Sequence, residues 1–457
     1  MSKPIIGLEI HGYLETKEKL FCTCPNYHDM KIIKPNINAC ATCSGQPGSK
    51  PMLPNKSAID KILEIALILN CKINVVPKSL LFQRKHYDWP DMPHGYQKTV
   101  SGAYSDFVAK DGNFLGIRIR EIHLEEDPAA WDPQTGVIDY NRAGVPLVEI
   151  VTEPDFHSGE QVQAWLKQLI LTLSYVYALN KDSGIKADVN ISIPKLSVRT
   201  EMKNIGSTKE IINAIKYEEQ RHLNEKPKVQ ETRRWNSVKG KTELMRSKEE
   251  AADYRFIPDP DLPLIKITKQ RVEDIKKSIP ETPQEKLDKI IKKFKIDKKD
   301  AEVLIQNIDI AEIFEEIIKK VDAGFVLPWI TVELFSVLNY NNKTLDEVDI
   351  KAEHIIELLN LVKSGKLTPL KGKDILRKFV PKSFSPLREA KAHVMISNKD
   401  ELKDIIKKVI KDNGKSVESY KSGNSQVLNF LIGQVMHLTN KRADYKTVRE
   451  IFEKELN

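Results

Sequence analysis

The stretch IIGLEIHGY (Ile5–Tyr13) alternates apolar and polar side chains with a period of two residues. This period predicts a β-strand, because successive side chains of an extended chain point to opposite faces of a sheet. The apolar residues would face a core, whereas Glu9, His11 and Tyr13 would share the other face. The chain therefore begins with a strand whose polar face carries side chains suited to catalysis or to cation binding.

Three further stretches predict strands of the same kind. Their polar residues are Glu121, His123 and Glu125 within 116–127, Asp188, Asn190 and Ser192 within 187–193, and Arg199, Glu201 and Lys203 within 198–203. Carboxylates, imidazoles and a lysine gathered on one sheet face suit a hard divalent cation together with phosphate groups. A solvated face of an antiparallel sheet gives the same alternation, although Asp and Asn are disfavoured in strands. The pattern alone leaves both interpretations open.

Size and composition bound the class of protein. At 457 residues the chain is long enough for two or three domains. A hydrophobic content of 40% and a charged content of 30% are typical of a soluble protein. The chain has no apolar run of about 18 residues and no N-terminal signal pattern, so we expect a cytoplasmic protein with no membrane segment. The net charge of +8 favours a polyanionic partner such as RNA, although a lysine-rich proteome would give the same bias.

Four of the five cysteines form two close pairs, Cys22 with Cys24 and Cys40 with Cys43. Two such pairs separated by a loop predict a tetrahedral zinc site, because four thiolates must converge from two turns. A closed site of this kind would be structural, since it leaves no open position for a substrate. Disulfides or free thiols remain the alternative. The fifth cysteine, Cys71, is most simply a small core residue.

The composition and the secondary-structure pattern of the sequence change near residue 268, where a Pro-rich stretch ends. Residues 1–268 mix short strand patterns with turns and predict an α+β catalytic domain. Residues 391–457 predict a small separate helical module. Between them, residues 269–390 predict a helical linker domain with Lys/Glu-rich helical patterns, among them Pro283–Lys295, Ala301–Val321 and Ala352–Ser364.

Several common catalytic motifs are missing from the sequence. Two fragments end like a phosphate-binding P-loop, but the glycine required five positions before Gly240 and Gly414 is Trp235 in one and Val409 in the other. The chain also has no GxSxG elbow and no Gly/Ser-rich amidase loop. An ATP site would therefore be built without a P-loop, and the chain lacks its own nucleophile for amide hydrolysis.

The segment DYNRAGVPLVEIVTEPD (Asp139–Asp155) strongly resembles the signature of the GatB family, the B subunits of the GatCAB aminoacyl-tRNA amidotransferases. The resemblance covers nearly the whole chain. Further matching segments are IGLEIH (Ile6–His11), Gly45-Gln-Pro-Gly48, Arg84-Lys85, Gly95-Tyr-Gln97, His123-Leu-Glu-Glu-Asp127, Asp188-Val-Asn190, Glu201-Met-Lys-Asn204, Gln230-Glu-Thr-Arg233, Met245-Arg-Ser-Lys-Glu-Glu-Ala251, Asp253-Tyr-Arg255 and Gly433-Gln-Val-Met436.

The resemblance implies an ATP-dependent ligase in protein biosynthesis. Proteins of this family phosphorylate the side-chain carboxylate of Glu-tRNA(Gln) or Asp-tRNA(Asn) with ATP and Mg²⁺. Ammonia from the amidase subunit GatA then gives Gln-tRNA(Gln) or Asn-tRNA(Asn), and GatC holds the two subunits together in a heterotrimer. This division of labour fits the missing amidase nucleophile, and the activation step is needed because a resting carboxylate is a poor electrophile.

The resemblance also assigns roles to particular residues, although each of them has a structural alternative. The implied Mg²⁺ ligands are Glu9, His11, Glu125 and Glu201, and the implied catalytic and phosphate-binding residues are Asp188, Asn190, Arg199 and Lys203. The implied channel and substrate cradle consists of Lys85, Tyr87, Tyr96, Asn141, Arg142 and Glu149. The cysteines Cys22, Cys24, Cys40 and Cys43 would hold the structural Zn²⁺.

For the fold, the resemblance implies an N-terminal cradle similar to the glutamine synthetase and guanido kinase core, an all-α domain and a YqeY-like helical tail. The tail residues expected to meet tRNA phosphates are Lys407, Lys408, Lys411, Lys441 and Arg442. Charged helices are more often simply solvated, so this role depends on the resemblance.

Three alternatives to this function can be weighed against the sequence. A GatE-type protein would carry a large inserted domain, for which 457 residues leave no room. A non-catalytic zinc-containing tRNA-binding or assembly subunit would need none of the implied Mg²⁺ and phosphate residues, yet they are all present. A stand-alone ATP-dependent ligase would use free ammonia and would need no amidase partner.

Overall fold

The structure is a computed structural model that describes residues 3–27, 33–86, 89–101, 105–180, 185–205, 207–247, 255–305, 307–343, 345–392, 395–396 and 398–456. The chain forms two compact units, Met1–Thr282 and Pro283–Asn457. Each unit has its own hydrophobic core.

The first unit is built around one large twisted sheet. Its strands, together with the separate β7–β8 hairpin, are β1 (Ile5–Tyr13), β2 (Lys72–Ile73), β3 (Gln83–His86), β4 (Tyr96–Thr99), β5 (Ala109–Phe114), β6 (Ile117–Glu126), β7 (Ala130–Trp131), β8 (Ile138–Asp139), β9 (Pro146–Thr152), β10 (Ile185–Ser192), β11 (Thr200–Ile205), β12 (Glu231–Asn236), β13 (Lys241–Ser247) and β14 (Ile257–Pro258). The order across the main sheet is β13-β12-β11-β10-β1-β9-β6-β4-β3-β14, and β5 joins β2 to β6. All pairs are antiparallel except β11 with β12.

The four strands predicted from alternation are confirmed as β1, β6, β10 and β11. β1 lies near the middle of the sheet, between β10 and β9. The register places Glu9 opposite Asp188 on one side and His11 opposite Glu149 on the other. Polar residues from strands far apart in sequence are thereby brought together on one face.

The opposite face of the sheet is apolar and is covered by helices. The helices of the first unit are α1 (Lys56–Ile68), α2 (Gly159–Tyr175), α3 (Thr208–Glu225) and α4 (Lys269–Ser278). Leu8 and Ile10 of β1 belong to the same buried cluster as Leu166 of α2 and Ile215 of α3. The alternation along β1 therefore separates a buried face from a polar one, as the sequence predicted.

The second unit is helical throughout its described residues. Its helices are α5 (Pro283–Phe294), α6 (Lys298–Leu304), α7 (Ile308–Ile317), α8 (Ala323–Pro328), α9 (Phe335–Tyr340), α10 (Ala352–Lys363), α11 (Pro369–Arg377), α12 (Leu387–Ala392), α13 (Lys399–Asp412), α14 (Gly414–Lys421), α15 (Val427–Leu438) and α16 (Tyr445–Leu456), with a π-helical turn at Trp329–Leu334 and a 3₁₀ turn at Leu345–Glu347. A mixed α/β unit followed by a helical region confirms the predicted α+β class.

The helical pattern predicted over Ala301–Val321 is not one continuous helix. α6 ends at Leu304 and α7 begins at Ile308, because the Asn307 side chain accepts hydrogen bonds from the backbone N–H groups of Asp309 and Ile310. Such a side chain satisfies donors that a helix start leaves without partners. An apolar repeat alone did not reveal this interruption.

One segment of the described chain, Ala323–Tyr340, has the length and composition of a membrane span, with a mean hydropathy of 1.3 over 18 residues. Trp329, Ile330, Leu334 and Leu338 of this segment belong to the second hydrophobic cluster. One face of the segment therefore packs into the core of the second unit.

The domain limits predicted at 268 and 390 remain predictions. α4 lies beyond residue 268, yet it packs with the first unit, since Arg271 is 2.7 Å from Asp60 and Ile275 joins the first hydrophobic cluster. In the second unit, the buried residues from Ile396 to Leu456 form a cluster of their own.

Candidate active site on the polar face of the sheet

The first group of chemically active residues, here called the histidine cluster, consists of His11, Glu125 and Glu149. One ligand atom from each of them lies within 4.8 Å of the others. His11 Nε2 is 3.9 Å from Glu149 Oε2; Glu125 is buried, and the Glu149 side chain is 12% exposed. Two carboxylates and an imidazole converge from three neighbouring strands, which is an arrangement that can hold a divalent cation.

His123 lies behind this cluster. Its Nδ1 is 3.4 Å from Glu149 Oε2 and its Nε2 is 3.6 Å from Glu121 Oε1, while the ring stacks on Phe107 at 5.0 Å. Although burial opposes it, contact with the two glutamates raises the pKa of His123 to about 10. The imidazole therefore contributes positive charge beside Glu149.

Gln97 supports the other carboxylate of the histidine cluster. Its Nε2 donates to Glu125 Oε2 at 3.1 Å and to the Glu126 carbonyl at 2.9 Å. Lys85 is paired with Gln97 in the β3–β4 register and therefore projects from the same face. Lys85 also acts electrostatically on Glu125 and Glu149.

The second group, here called the aspartate cluster, consists of Glu9, Asp188 and Glu201. Their carboxylate oxygens also lie within 4.8 Å of one another. Asn190 Nδ2 donates to Glu9 Oε1 at 3.4 Å, and Thr232 Oγ1 donates to Glu201 Oε2 at 3.4 Å. Glu9 and His11 are two residues apart on β1, so the two clusters lie side by side on one face.

Lys203 is the basic residue of the aspartate cluster. Its Nζ is 2.6 Å from Asp188 Oδ2 and 2.7 Å from Glu201 Oε1. Burial opposes protonation, but the carboxylates of Asp188 and Glu201 raise the pKa of Lys203, which keeps the ammonium charged. The cluster thus contains three carboxylates and one ammonium group.

Burial and neighbouring charges shift the pKa values of Glu9, Glu125 and Glu149. Burial, assisted by the neighbouring Glu149, raises the pKa of Glu9 and of Glu125. For Glu149, burial also favours the neutral acid, but contact with His123 outweighs it and lowers the pKa. Neighbouring groups whose pKa values are shifted in opposite directions are typical of functional sites.

The donor set fits a hard divalent cation. Glu125 Oε1 and Asn190 Oδ1 are buried oxygens without a hydrogen-bond partner among the described residues. A buried acceptor without a partner is costly unless a ligand satisfies it. Carboxylate and amide oxygens are also the ligands that Mg²⁺ prefers.

The single ligand set predicted from the sequence is divided by the structure into two groups. His11 and Glu125 belong to the histidine cluster, and Glu9 and Glu201 belong to the aspartate cluster. Glu149, predicted for the substrate cradle, joins His11 and Glu125. Register explains the division, because His11 is paired with Glu149 and Glu9 with Asp188. Arg199 is exposed just before β11 and belongs to neither cluster.

The remaining cradle residues do not all share this face. Tyr96 packs against Arg84, with 4.6 Å from the guanidinium carbon to the ring centroid, and its position on β4 next to Gln97 directs it to the opposite face. It lines a small cavity between the cysteines and the sheet, together with Phe21, Cys43 and Lys98. Tyr87 lies outside the described residues.

Asn141 and Arg142 organise loops at a distance from both clusters. The Asn141 side chain accepts from the Asn38 N–H at 2.8 Å and donates to the Lys34 carbonyl at 2.8 Å. The Arg142 guanidinium donates to the carbonyls of Pro128 and Ala129 and pairs with Asp127 at 3.2 Å. Both residues thus connect the signature segment to neighbouring loops and contact neither carboxylate cluster.

The four cysteines Cys22, Cys24, Cys40 and Cys43 form a cysteine cluster. All are free thiols, and Cys43 Sγ is 3.8 Å from Cys24 Sγ and 3.6 Å from Cys40 Sγ. In a tetrahedral zinc site, a Zn–S distance of about 2.3 Å requires sulfur atoms about 3.8 Å apart. The sulfur separations therefore match a metal site and are much too long for disulfides.

Lys19 lies next to the cysteine cluster and is only 1% exposed. Its Nζ donates to the Asn38 carbonyl at 3.0 Å and to the Tyr140 carbonyl at 3.2 Å. Within the described part of the chain, no carboxylate lies within ion-pair distance of it. A hydrogen bond from Cys22 lowers the pKa of Cys43 to about 4 against the effect of burial, and the Lys19 ammonium adds to that lowering.

Sequence reasoning missed three of these supporting residues. Alternation places His123 on the polar face of its strand but does not assign it to the site, and Gln97 is part of a matching motif without a role. Lys19 carries no sequence signal at all, because a lysine between Glu18 and Leu20 looks like an ordinary surface residue.

In the tail, Lys407, Lys408 and Lys411 are exposed on α13. Lys441 is different, because its Nζ is 2.7 Å from Asp374 Oδ2. The Arg442 guanidinium donates to the Thr439 carbonyl at 3.2 Å. The predicted tRNA-binding residues therefore include an exposed set on α13 and two residues engaged in contacts within the second unit.

Taken together, the mixed sheet, the two carboxylate clusters on one of its faces and the helical second unit define an α+β protein with a candidate cation-dependent active site. Residues 4–273 match the GatB/GatE catalytic domain family, and residues 312–456 match the GatB domain. The chain belongs to the GatB family.

Curated relatives from archaea match over nearly the full length. The chain is 42% identical over 468 residues to the B subunit of the aspartyl/glutamyl-tRNA(Asn/Gln) amidotransferase of Methanocaldococcus jannaschii, with 99% of this chain and 97% of that protein covered. It is 40% identical over 462 residues to the protein of the same name from Methanopyrus kandleri, with 99% and 98% covered.

Proposed function

We propose that this chain is the subunit of a tRNA-dependent amidotransferase that activates and amidates the side-chain carboxylate of Glu-tRNA(Gln) or Asp-tRNA(Asn). The products would be Gln-tRNA(Gln) and Asn-tRNA(Asn). The family membership and the relatives' names support this function. The observation that carries the chemistry is the pair of carboxylate clusters, centred on β1 and sharing one face of the sheet.

The reaction transfers a phosphoryl group from ATP to the substrate carboxylate, and ammonia then displaces phosphate. Mg²⁺ bound by the two clusters would neutralise charge on the phosphates. His11, Glu125 and Glu149 would hold one cation, and Glu9, Asp188 and Glu201 a second. Gln97 would orient Glu125 through its hydrogen bond, as second-layer groups commonly do, and His123 would place positive charge beside Glu149.

Three basic residues are suited to the anionic substrates. Lys203 reaches the aspartate cluster, Lys85 projects from the same face beside the histidine cluster, and Arg199 is exposed before β11. A fixed cation stabilises the negative charge that develops during phosphoryl transfer. We infer that Lys203 and Arg199 contact phosphate and that Lys85 lies on the path of the substrate carboxylate or of ammonia.

The cysteine cluster would hold a structural Zn²⁺. The sulfur separations fit a tetrahedral site, and all four ligands come from the protein, which leaves no open position for a reaction. Because the cluster connects the loops around Cys22 and Cys40 to the sheet, the metal would stabilise the fold near the cavity lined by Tyr96.

The proposal includes partners, since the chain lacks an amidase nucleophile of its own. We infer an amidase subunit, GatA, as the source of ammonia and a small subunit, GatC, that holds the complex together. The cradle would be related to the glutamine synthetase and guanido kinase core. The protein would act in the cytoplasm, where aminoacylated tRNA is found.

The experiment that tests the function is a single-turnover assay of the purified complex with ATP radiolabelled at its γ-phosphate and tRNA charged with ¹⁴C-labelled glutamate. ATP consumption that requires Glu-tRNA, followed by release of labelled glutamine from the tRNA, is the expected result. If only Asp-tRNA supports turnover, the mechanism stands and the substrate is Asp-tRNA(Asn).

Omission of the amidase subunit separates the alternatives. With ammonium chloride supplied, the proposed subunit should still form the amide, whereas glutamine should support the reaction only when the amidase is present. Tight tRNA binding without ATP turnover in any combination would instead identify a non-catalytic assembly subunit.

A further inference from the structure

Lys203 contacts the same carboxylates that form the aspartate cluster. Its Nζ is 2.6 Å from Asp188 Oδ2 and 2.7 Å from Glu201 Oε1, and both residues contribute to the group of converging oxygens with Glu9. Since Mg²⁺ lies about 2.1 Å from its oxygen ligands, an ion bound to either oxygen would lie within about 5 Å of Nζ. Two positive charges at that distance repel each other, and they also compete for the same lone pairs.

The charge of the cluster favours a divalent cation over the ammonium. Three carboxylates face one lysine, so the ammonium balances only part of the negative charge. Asn190 Oδ1, beside Glu9, is a buried acceptor without a hydrogen-bond partner among the described residues, and an ammonium bound to Asp188 and Glu201 does not satisfy it. A divalent cation bound to the carboxylates would balance their charge more fully than the ammonium does.

Lys203 is able to leave this position. Its side chain is 28% exposed, whereas those of Asp188 and Glu201 are 9% and 8% exposed. A lysine ammonium sits on a flexible four-carbon stem, so it can turn towards solvent without moving β11. The carboxylates, in contrast, are held in place within the sheet by their strands.

We propose that Lys203 and a divalent cation exchange at the aspartate cluster, so that cation binding releases the Lys203 ammonium towards the phosphate groups of the substrate. The inference rests on the proposed function for the identity of those phosphates, but the exchange itself concerns only the cation and the lysine. Before the cation arrives, Lys203 limits repulsion among the three carboxylates. Afterwards the same ammonium becomes a donor for the phosphoryl group.

The test is Mn²⁺ binding to the full chain without nucleotide or tRNA, followed by electron paramagnetic resonance. If Lys203 competes with the cation, Lys203→Met should bind Mn²⁺ about tenfold more tightly than the parent, and Lys203→Arg should bind it no more tightly than the parent. Lys216→Met removes an exposed lysine of α3 that pairs with Glu160 and should leave Mn²⁺ binding unchanged. Weaker or unchanged binding in Lys203→Met would overturn the exchange.

A second comparison assigns the effect to the aspartate cluster, because the histidine cluster would also bind Mn²⁺. In an Asp188→Asn, Glu201→Gln background the cluster loses both carboxylates that Lys203 contacts, and Lys203→Met should no longer tighten Mn²⁺ binding. If the tightening persists in that background, Lys203 acts on a different site and the proposal is wrong. Lys203→Gln provides a polar replacement should Lys203→Met fail to fold.

Chemical labelling of the parent chain tests the movement without any substitution. Acetylation of Lys203 by an amine-reactive ester, measured by mass spectrometry, should become faster when Mg²⁺ is added, while labelling of Lys216 should not change. Equal or slower labelling of Lys203 would contradict its release. A complex that fails to amidate tRNA would remove the proposed function, but it would not alter either of these measurements.

Discussion

Gln97 holds one oxygen of Glu125 through a hydrogen bond of 3.1 Å from Nε2 to Oε2, while Glu125 Oε1 has no hydrogen-bond partner among the described residues. The amide therefore fixes the carboxylate and leaves its second oxygen available to the histidine cluster. Because this carboxylate is buried next to Glu149, it destabilises the folded state, and such local destabilisation is common at functional sites.

Glu125→Gln should abolish ATP-dependent activation of the aminoacyl-tRNA. The substitution preserves shape but removes a negatively charged ligand, so we expect a loss of at least about 100-fold in the rate of activation. Burial and Glu149 raise the pKa of Glu125, so the neutral amide should leave the free energy of unfolding unchanged or higher. Glu153→Gln, which removes only an exposed ion pair with Arg120, is the control. Undiminished activation in the Glu125 variant would remove this residue from the cation site.

Cys40→Ser should release the metal from the cysteine cluster and destabilise the first unit. Since binding of a structural metal contributes directly to folding, we expect the melting temperature to fall by more than about 5 °C. Metal content measured by mass spectrometry should fall in parallel. Cys71→Ser changes a buried cysteine outside the cluster and should retain the metal. If Cys40→Ser keeps its zinc and melts like the parent, the zinc assignment is wrong.

Lys19→Met should weaken metal binding at the cysteine cluster. Four thiolates and one Zn²⁺ carry a net negative charge, and the buried Lys19 ammonium is placed to balance it. Loss of such a supporting group typically costs about 10- to 100-fold in metal affinity. Competition with a chromogenic chelator measures the change, and Lys17→Met, on an exposed neighbour, provides the matched control. Equal affinity in both variants would show that Lys19 only connects the Asn38 and Tyr140 loops.

Glu218 should make stability depend on pH under acidic conditions. This carboxylate of α3 is fully buried, and although burial opposes it, contacts with His222, Arg221 and Thr242 lower its pKa. A lowered pKa stabilises the fold above the unfolded value of about 4.5, and that contribution is lost as the pH falls through the folded value.

Glu218→Gln should therefore lower the free energy of unfolding at pH 7 by about 2 kcal/mol, since it removes a buried carboxylate that accepts hydrogen bonds from charged Arg221, while Arg221 keeps its ion pairs with Glu225 and Glu231. The difference from the parent should shrink below about pH 4.5. Urea unfolding at several pH values measures the difference in the free energy of unfolding between variant and parent. The control is Glu225→Gln, which changes an exposed partner of Arg221 and should have a small effect. A difference that stays constant down to pH 3 would mean that the charge of Glu218 is not the cause.

The two parts of the predicted tail surface should respond differently to substitution. Replacing Lys407 and Lys411 with Glu should weaken tRNA binding and lower the slope of its salt dependence by about one for each phosphate that is no longer neutralised, while stability stays the same. Lys441→Ala should mainly destabilise the second unit, because it breaks the ion pair with Asp374. Filter binding at several salt concentrations, together with melting curves, distinguishes these outcomes. Unchanged tRNA affinity in the double variant would exclude this face of α13 from the interface.

Local periodicity was sufficient to predict four strands of the sheet and their polar face. Alternation assigned Glu9 and His11 to the same side of β1, and the two cysteine pairs predicted a compact thiol cluster. These features depend on side chains that are close in sequence, so the geometry of an extended strand or a tight turn determines them. The family signature that includes Glu149 then predicted the reaction.

Tertiary pairing decided how those residues are grouped. Glu9 meets Asp188 and His11 meets Glu149 only because β1 lies between β10 and β9, and a register between strands so distant in sequence is not encoded in either strand alone. Tertiary pairing also separates residues of one signature segment. Glu149 lies on β9 opposite His11 and belongs to the site, whereas Asn141 and Arg142 lie before β9 and organise loops. The roles of Gln97 and Lys19 depend on contacts with segments distant in sequence, to Glu125 for Gln97 and to Asn38 and Tyr140 for Lys19. These contacts form only when folding buries the two polar side chains and removes water from around them.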